Sequence, residues 1–390
     1  MAVPKLRFKT DDGSDYPDLV EIKIGDAIKE AKRPLDMKDD EKYQLVTVKR
    51  RNEGIVSRGM FYGKDILVKN YYTVKKGDYI ISKRQVIHGA NGIVPPELDD
   101  AIVSNEYMVL SDSKALLAEY LALYSMTKKM YHMFFISSYG VDIEKMFFNV
   151  DDWKKKKIMA PCIKEQQKVV ELFSLIDTVI EKQKETVSVW EERKKGVMQK
   201  LFSQKVRFKA DDGSDFPDWE KKKLEDVVEF LDGQRKPLEA GQRVSGKYPY
   251  YGASGIIDYV ENYIFDEELI LLSEDGANIL DRNYRVCFLA KGKYWVNNHA
   301  HVLRAMDGNV NGFICEQLES FDYRKYNSGG AQPKLNQATC RAIIMNIPCL
   351  EEQQKIADCL SSLDEVIEKQ KATLAEWEEL KKGLLQQMFV

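Results

Sequence analysis

Residues 163–201 read IKEQQKVVELFSLIDTVIEKQKETVSVWEERKKGVMQKL, and residues 350–388 read LEEQQKIADCLSSLDEVIEKQKATLAEWEELKKGLLQQM. Pro161 precedes the first stretch and Pro348 the second. The offset is constant: 348 − 161 = 187 for the prolines and 377 − 190 = 187 for the tryptophans. Spacing that never drifts over such a span marks one structural unit used twice. In the first copy Val169, Phe173, Ile176, Ile180, Gln183, Val187, Trp190, Lys194, Val197 and Leu201 fall at alternating steps of four and three. Ile356, Leu360, Leu363, Ile367, Gln370, Leu374, Trp377, Lys381, Leu384 and Met388 do the same in the second. This is a heptad seam. At the standard rise each helix would be about 58 Å long, more than a small domain can bury against itself. The economical partner is the other copy. Matched polar interruptions, Gln183 with Gln370 and Lys194 with Lys381, suit a fixed register. With the glutamines near mid-seam, an antiparallel pair is expected, the two lysines snorkelling to water near its far ends. Two separate helices, each packed on a globular domain or a partner, are the alternative.

A second repeat flanks the first. Arg7-Phe8-Lys9-Thr10-Asp11-Asp12-Gly13-Ser14-Asp15-Tyr16-Pro17-Asp18 returns as Arg207-Phe208-Lys209-Ala210-Asp211-Asp212-Gly213-Ser214-Asp215-Phe216-Pro217-Asp218, at an offset of 207 − 7 = 200. Asp-Gly and Pro mark turns, so each block reads as a polar connector with aromatic anchors. The second block follows the first helix directly. The first would follow the second helix if the termini were joined, so the chain is two similar halves in ring-like order, cut open before Arg7. The carboxylates of Pro17-Asp18-Leu19-Val20-Glu21-Ile22-Lys23 suggest a metal nuclease motif, but they lie too close along the chain for adjacent strands. The counterpart Pro217-Asp218-Trp219-Glu220-Lys221 points instead to a structural entry turn.

A chain of 390 residues allows two or three domains, and 44% hydrophobic residues can supply their cores. The net charge of −3 advertises no polyanion partner, so nucleic-acid binding would have to come from local patches. Six cysteines without a CxxC pair give no zinc or disulfide framework, and no apolar run is long enough to span a membrane. No signal peptide is readable, and the expected location is the cytoplasm.

Between connector and helix lie two dissimilar regions, about 19–160 and 219–347. In the first, residues 44–48, 66–68, 79–81 and 107–110 read as strands and 115–126 as a helix. In the second, 248–251, 256–260, 269–272, 286–289 and 301–303 read as strands and 310–318 as a helix. Each region is α+β with one late helix. A constant frame with variable inserts suggests two similar readers of different targets. The inserts carry side chains suited to a polymer ligand: Arg50, Arg51, Arg58, Lys83, Arg84, Gln85 and His88 in the first. The second has Gln234, Arg235, Lys236, Lys247, Tyr250, Arg282, Asn283, Asn297, Asn298 and His299, with Ser328, Gln332 and Lys334 in a polar glycine-rich loop. Arg and Lys suit guanine edges and phosphates; Asn and Gln suit adenine. The bland alternative is a solvated charged surface, which also serves for the Lys154–Lys157 and Lys221–Lys223 runs. His299 and His301 would share a strand face, but with no cysteine or carboxylate set beside them in sequence, metal ligation is not expected.

Taken in order, these pieces resemble a type I restriction–modification specificity subunit over essentially the whole chain. The resemblance is carried by the Pro-x-x-x-Glu-Gln-Gln-Lys helix openings, Leu363-Asp364-x-x-Ile367, the Lys381–Phe389 ending and Gly330-Ala331-Gln332-Pro333-Lys334-Leu335. Pro249-x-Tyr251-Gly252-Ala253, Asp275-Gly276-Ala277 and Asn297-Asn298-His299-Ala300-His301 resemble one type of target recognition domain. Lys83-Arg84-x-x-x-His88-Gly89-Ala90 and Ser104-Asn105-Glu106-Tyr107 resemble another. Leu19 departs from the tryptophan usual in the connector, which Trp219 keeps.

The resemblance implies target recognition domains at 1–160 and 206–347 and helical spacers at 161–205 and 348–390. The spacers would form an antiparallel coiled coil holding the domains apart, with Phe173, Ile176, Ile180, Gln183, Val187 and Trp190 facing Leu360, Leu363, Ile367, Gln370, Leu374 and Trp377. Each domain would read half of a split, asymmetric double-stranded DNA site. Two modification subunits would methylate adenine, and restriction–motor subunits would complete the assembly. No cofactor is expected on this chain: S-adenosylmethionine, ATP and magnesium would belong to partners. The sequence agrees, having no GxxxxGK[ST] phosphate loop and no Asn/Asp-Pro-Pro-aromatic signature; Val94-Pro95-Pro96-Glu97 lacks both the amide and the aromatic. A DNA-reading enzyme with its own nuclease or methyltransferase activity, or a purely structural coiled-coil adaptor, are the competing readings.

Overall fold

The computed structural model describes residues 4–330 and 332–389; Met1–Val3, Ala331 of the glycine-rich loop and Val390 lie outside the described residues. The chain divides into two compact units, Met1–Gln183 with Thr373–Val390, and Lys184–Ala372. In chain order the first contains β1 (Val20–Lys23), α1 (Ile24–Ala27), β2 (Lys29–Glu30), β3 (Lys42–Val48), β4 (Ile55–Tyr62), β5 (Tyr71–Thr73), β6 (Tyr79–Ser82), β7 (Asn91–Ile93), β8 (Ile102–Ser104) and β9 (Tyr107–Ser111). There follow α2 (Ala118–Ser125), α3 (Lys128–Ile136), β10 (Ser138–Tyr139), β11 (Phe147–Phe148), α4 (Val150–Lys154), β12 (Lys157–Ala160) and the start of α5 (Ile163–Phe202). The second unit has β13 (Glu220–Lys223), β14 (Val228–Phe230), β15 (Ser245–Gly252), β16 (Gly255–Val260), β17 (Phe265–Asp266), β18 (Leu269–Ser273), α6 (Asn278–Asp281), β19 (Cys287–Ala290), β20 (Lys293–Val296) and β21 (Ala300–Ala305). It continues through α7 (Asn311–Glu319), α8 (Gln337–Arg341), β22 (Ile344–Ile347) and the start of α9 (Leu350–Met388).

The two units share one topology. The first holds four-stranded sheets ordered β2-β9-β6-β7 and β4-β3-β8-β5; the second holds β14-β21-β18-β19 and β16-β15-β20-β17. In each, a short antiparallel pair, β1 with β12 or β13 with β22, joins the entry of the region to its exit. The central strands are buried on both faces. Tyr79, Ile81, Met108 and Leu110 face the helices, while Ile80 and Val109 face the other sheet. Ile270, Leu272 and Leu303 repeat the first role, and Leu269, Leu271 and Val302 the second. This is the period-two alternation of a strand used by two cores.

The repeated helices run antiparallel within each unit. In the first, Val169 and Phe173 of α5 pack with Leu384, Leu385 and Met388 of α9, and Lys381 Nζ lies 2.5 Å from Asp177. In the second, Val197, Met198 and Leu201 pack with Ile356, Leu360 and Leu363, and Lys194 Nζ lies 2.6 Å from Asp364. Of the seam residues, Phe173, Ile176, Ile180, Val187, Leu360 and Ile367 are buried; Gln183, Trp190, Leu363, Gln370, Leu374 and Trp377 are half-buried. The expectation that the lysines snorkel is corrected. The Lys194 side chain is 9% exposed and also meets Glu316 at 3.0 Å, because α7 covers that end of the seam. An aspartate across the seam does for each lysine what water would have done.

The repeated motifs interlock. Glu165 takes Arg7, and Glu352 takes Arg207 together with the Trp219 indole N–H. Gln166 accepts from Leu117 N and donates to Pro161 O; Gln353 accepts from Val310 N and donates to Pro348 O. Lys168 and Lys355 hold Asp11 and Asp211. Each connector therefore docks on the opening of the helix that follows its own region. Leu6 N donates to Gln387 O and Val206 N to Lys200 O, so the ring order cut before Arg7 is closed by a hydrogen bond.

Three expectations change. Residues 66–68 are not a strand: Leu67 is 97% exposed, and apolar character alone pairs with nothing there. Each region was expected to hold one late helix, but the first has α1, α3 and α4 besides α2, and the second has α6 and α8 besides α7. β1, β12, β13 and β22 were unread, each being only four residues long, and β13 is the polar stretch that includes the Lys221–Lys223 run.

Candidate nucleic-acid interface

In the first unit the turn joining β3 to β4 presents Arg50 and Arg51. Arg51 (φ 60°) and Asn52 (φ 57°) both occupy the left-handed region, costly for residues with a Cβ. What holds them is the facing turn: Arg51 N donates to His88 O at 2.6 Å, and Asn52 N to Gly89 O at 2.9 Å. Gly89 itself has φ 72°, and a Cβ there would meet the Asn52 amide nitrogen at 3.1 Å. A relay fixes the Asn52 amide, Tyr79 Oη donating to Asn91 Oδ1 and Asn91 Nδ2 to Asn52 Oδ1. The result is a cleft of about 490 Å³ lined by Arg50, Arg51, His88, Asn52, Tyr131 and Glu144. Glu144, with its side chain 57% exposed, holds Arg50 at 3.1 Å and lies 3.6 Å from His88. A carboxylate so exposed is an exchangeable partner that a phosphate can replace.

Lys83, Arg84 and Gln85 follow β6. Lys83 Nζ donates to Asn105 O and lines a separate cleft with Lys32, Asn70 and Lys154. Arg84 pairs with Glu106 at 2.6 Å and lies over the Phe147 ring. Gln85 Oε1 is buried with no hydrogen-bond partner. Arg58 is exposed on β4 and does not line the Arg50 cleft.

In the second unit the candidates gather where β18 ends and β21 begins. His301 is 1% exposed; its Nδ1 lies 2.7 Å from Asp232 Oδ2 and its Nε2 2.8 Å from Leu335 O. Burial lowers the imidazole pKa, but the Asp232 bond and Cys340 outweigh it and push it up to about 10. Both ring nitrogens therefore donate. Burial raises the Asp232 carboxyl, but His301, the Val302 amide and Arg235 outweigh that and hold it below its usual value. Asp232 also accepts from Gln337 Nε2. Glu274 accepts from Arg235 at 2.8 Å, lies 3.4 Å from Lys334 Nζ, and its backbone carbonyl accepts from Leu335 N. One buried ionic network thus ties together the segments that carry Gln234, Asn298, His299 and Lys334.

That network divides the expected readers. Gln234, Lys236, Asn298, His299, Ser328, Gln332 and Lys334 are exposed. His299 Nδ1 lies 2.9 Å from Asp275. Arg235 is turned inward, 13% exposed and bonded to Glu274 and Ala300 O. Tyr250 is buried, accepting from Leu238 N, and Asn297 is buried, accepting from His299 N. These three build the surface rather than face it. Lys247 lies over Tyr248 on the other sheet, and Arg282 is held by Glu319 beside the exposed Asn283, so neither joins the β18–β21 rim. Asn52, Tyr131 and Glu144 were missed, and Asp275 was named only within a resembling motif; left-handed asparagine and helix-borne tyrosine leave no mark in a charge pattern. Among the described residues no group of three or more His, Cys, Asp or Glu could hold a metal, and no helix is long and apolar enough to cross a membrane.

Comparison with known proteins shows the family and the fold. The model of the type I restriction modification DNA specificity domain matches twice, at residues 16–187 and 217–378. A putative type I restriction enzyme specificity subunit of Haemophilus influenzae is 38% identical over 142 residues, 36% of each chain. A putative type I specificity subunit of Mycoplasma pneumoniae is 28% identical over 39% of this chain and 42% of its own length. The chain thus aligns with well under half the length of these two relatives. The MjaVIII specificity subunit of Methanocaldococcus jannaschii is 25% identical across 97% of this chain and 94% of its own. The crystal structure of the type I system S subunit from M. genitalium shares the fold, with a TM-score of 0.63 at 14% identity, covering 100% of this chain and 99% of that one.

Proposed function

Because the chain belongs to the type I restriction–modification DNA specificity family, its model matching at 16–187 and 217–378, we propose that it is the DNA-recognition subunit of such an assembly. Each unit reads one half of a split, asymmetric site on double-stranded DNA. The observation that carries this reading is the shared topology with unlike chemistry at its rim. One unit presents Arg50 and Arg51 on the β3–β4 turn with His88 beyond β6, while the other presents Gln234 beyond β14, Asn298 and His299 before β21, and Lys334 ahead of α8. Equivalent scaffolds with different donors and acceptors read different bases.

The chain's own part is binding and positioning. Arginines resting on exposed carboxylates exchange them for phosphates, which fixes register, and amide and imidazole groups on the rims meet base edges. Adenine methylation belongs to two modification subunits and cleavage to restriction–motor subunits. Their cofactors, S-adenosylmethionine, ATP and magnesium, are not held by this chain. The site of action is the cytoplasm, where the DNA lies. Methylation mapping in cells that carry the chain with its modification subunits tests this. One asymmetric bipartite motif, methylated on adenine and lost when the chain is removed, is expected. A methylation pattern that does not depend on the chain, or nuclease or methyltransferase turnover by the purified chain alone, would overturn it.

A further inference from the structure

The segment 139–147 of the first unit and the loop 327–334 of the second hold the same place in the shared topology. Each is followed by an amide bonded to the residue just beyond the central strand. Phe148 N donates to Lys83 O and Leu335 N to Glu274 O, both at 2.8 Å. The two amides differ by the helix offset, 335 − 148 = 187. Each then leads into a short helix capped by asparagine, Asn149 for α4 and Asn336 for α8. Loop 327–334 lies against the second unit's rim, Pro333 O accepting from Gly276 N. Segment 139–147 lies against the first unit's rim, Glu144 meeting Arg50 and His88.

Their surfaces are opposite in character. Loop 327–334 is polar and closed on itself, Asn327 Oδ1 accepting from the amides of Gly329 and Lys334. Segment 139–147 instead carries Tyr139, Val141 and Ile143 outward, Val141 fully exposed at the bend between β10 and β11. Beside it Tyr131 and Phe135, one helical turn apart on α3, are also exposed and stacked at 6.5 Å. A contiguous apolar projection of this kind marks an interaction site. Its setting selects the occupant. Arg50 and Arg51 share a cleft with Glu144, Arg84 lies over Phe147 and Lys145 follows Glu144 in the segment; a duplex whose phosphates displace Glu144 from Arg50 and Glu106 from Arg84 engages these cations while offering its base stack to the apolar tip.

We propose that residues 139–143 form an apolar wedge that enters a base step at the first half-site and kinks the duplex there. The proposal rests on the DNA-reading function above. Apolar side chains inserted between base steps unstack them, and flanking cations hold the bent backbone. One half-site is then read with distortion, the other through the hydrogen-bonding loop 327–334.

The test uses the full chain with its modification subunits and a specific duplex carrying 2-aminopurine at successive steps of the first half-site. The expected result is a several-fold fluorescence rise at one step, distinct from the methylated adenine. It should be lost in the triple variant Tyr139→Ser, Val141→Ser, Ile143→Ser. Affinity for the specific site should fall by about tenfold, roughly the cost of one mismatched pair, and recover on a duplex with a mismatch at that step. Fluorescence at the target adenine, which reports the partner's own base extrusion, should not change. An undiminished rise in the variant overturns the wedge. So does a variant that no longer retains its modification subunits yet distorts DNA normally, since the patch would then dock protein. A wild-type complex with no sequence preference overturns the DNA reading itself.

Discussion

At the scale of single residues, the repeated motif proves to be a set of buried partners. Glu352 is fully buried and takes Arg207 and Trp219. Glu352→Ala would strand the arginine and lower the stability of the second unit by about 3 kcal/mol, as measured by denaturant unfolding. In the first unit Leu19 stands where Trp219 stands in the second, so Glu165→Ala should cost less. His301 adds a pH dependence. Its folded pKa of about 10 exceeds the unfolded value of about 6.5. Its contribution is therefore complete below about pH 6.5 and declines as pH rises towards about 10. Denaturation midpoints of the wild type and His301→Gln should converge over that window; a constant gap would contradict the charged assignment. The rim separates readers from supports: Gln234 and Asn298 substitutions should relax the second half-site by about 1–3 kcal/mol of discrimination. Arg235 and Asn297 substitutions should instead destabilise the unit. By residue type all four side chains had one role, because type does not show which way a guanidinium turns; Glu274 and Ala300, which turn it, lie 39 and 65 positions away.

At the scale of elements, the long helices were legible because a heptad seam is local and repeats itself. Their antiparallel sense was legible from the matched Gln and Lys positions. The partners of the lysines were not, since Asp364 lies 170 positions from Lys194. The two pairs are equivalent by repeat but not by environment. Lys194 also meets the buried Glu316, whereas Lys381 meets the half-exposed Asp177 and is itself more exposed. Lys194→Ala should therefore cost about 3 kcal/mol, and Lys381→Ala no more than about 1 kcal/mol, compared by thermal unfolding. The central strands were readable from continuous apolar runs. Short strands such as β1 and the wholly polar β13, and the two-residue β10 and β11, were not, because two to four residues hold too little of a pattern to read.

At the scale of the whole molecule, two units of one topology are built on one helix-and-connector frame. Residues 373–388 of α9 with Phe389, which complete the first unit, are equivalent by the offset of 187 to residues 186–202 of α5. A fragment of residues 1–205 should therefore dimerise, each copy lending residues 186–202 to the other, and with modification subunits should direct methylation to a palindrome. Sedimentation and methylation mapping check this; a monomer at micromolar concentration, or retention of the asymmetric site, would count against it. The hydrogen bond from Leu6 N to Gln387 O carries a consequence in time. A ribosome working at about 5–20 residues per second delivers each unit in turn. The second unit is continuous in sequence and has all its parts once residue 372 has emerged. The first must wait, its core open to Phe389, which packs on Tyr120, Tyr124 and Phe173. The half that is synthesised first is thus the half that matures last.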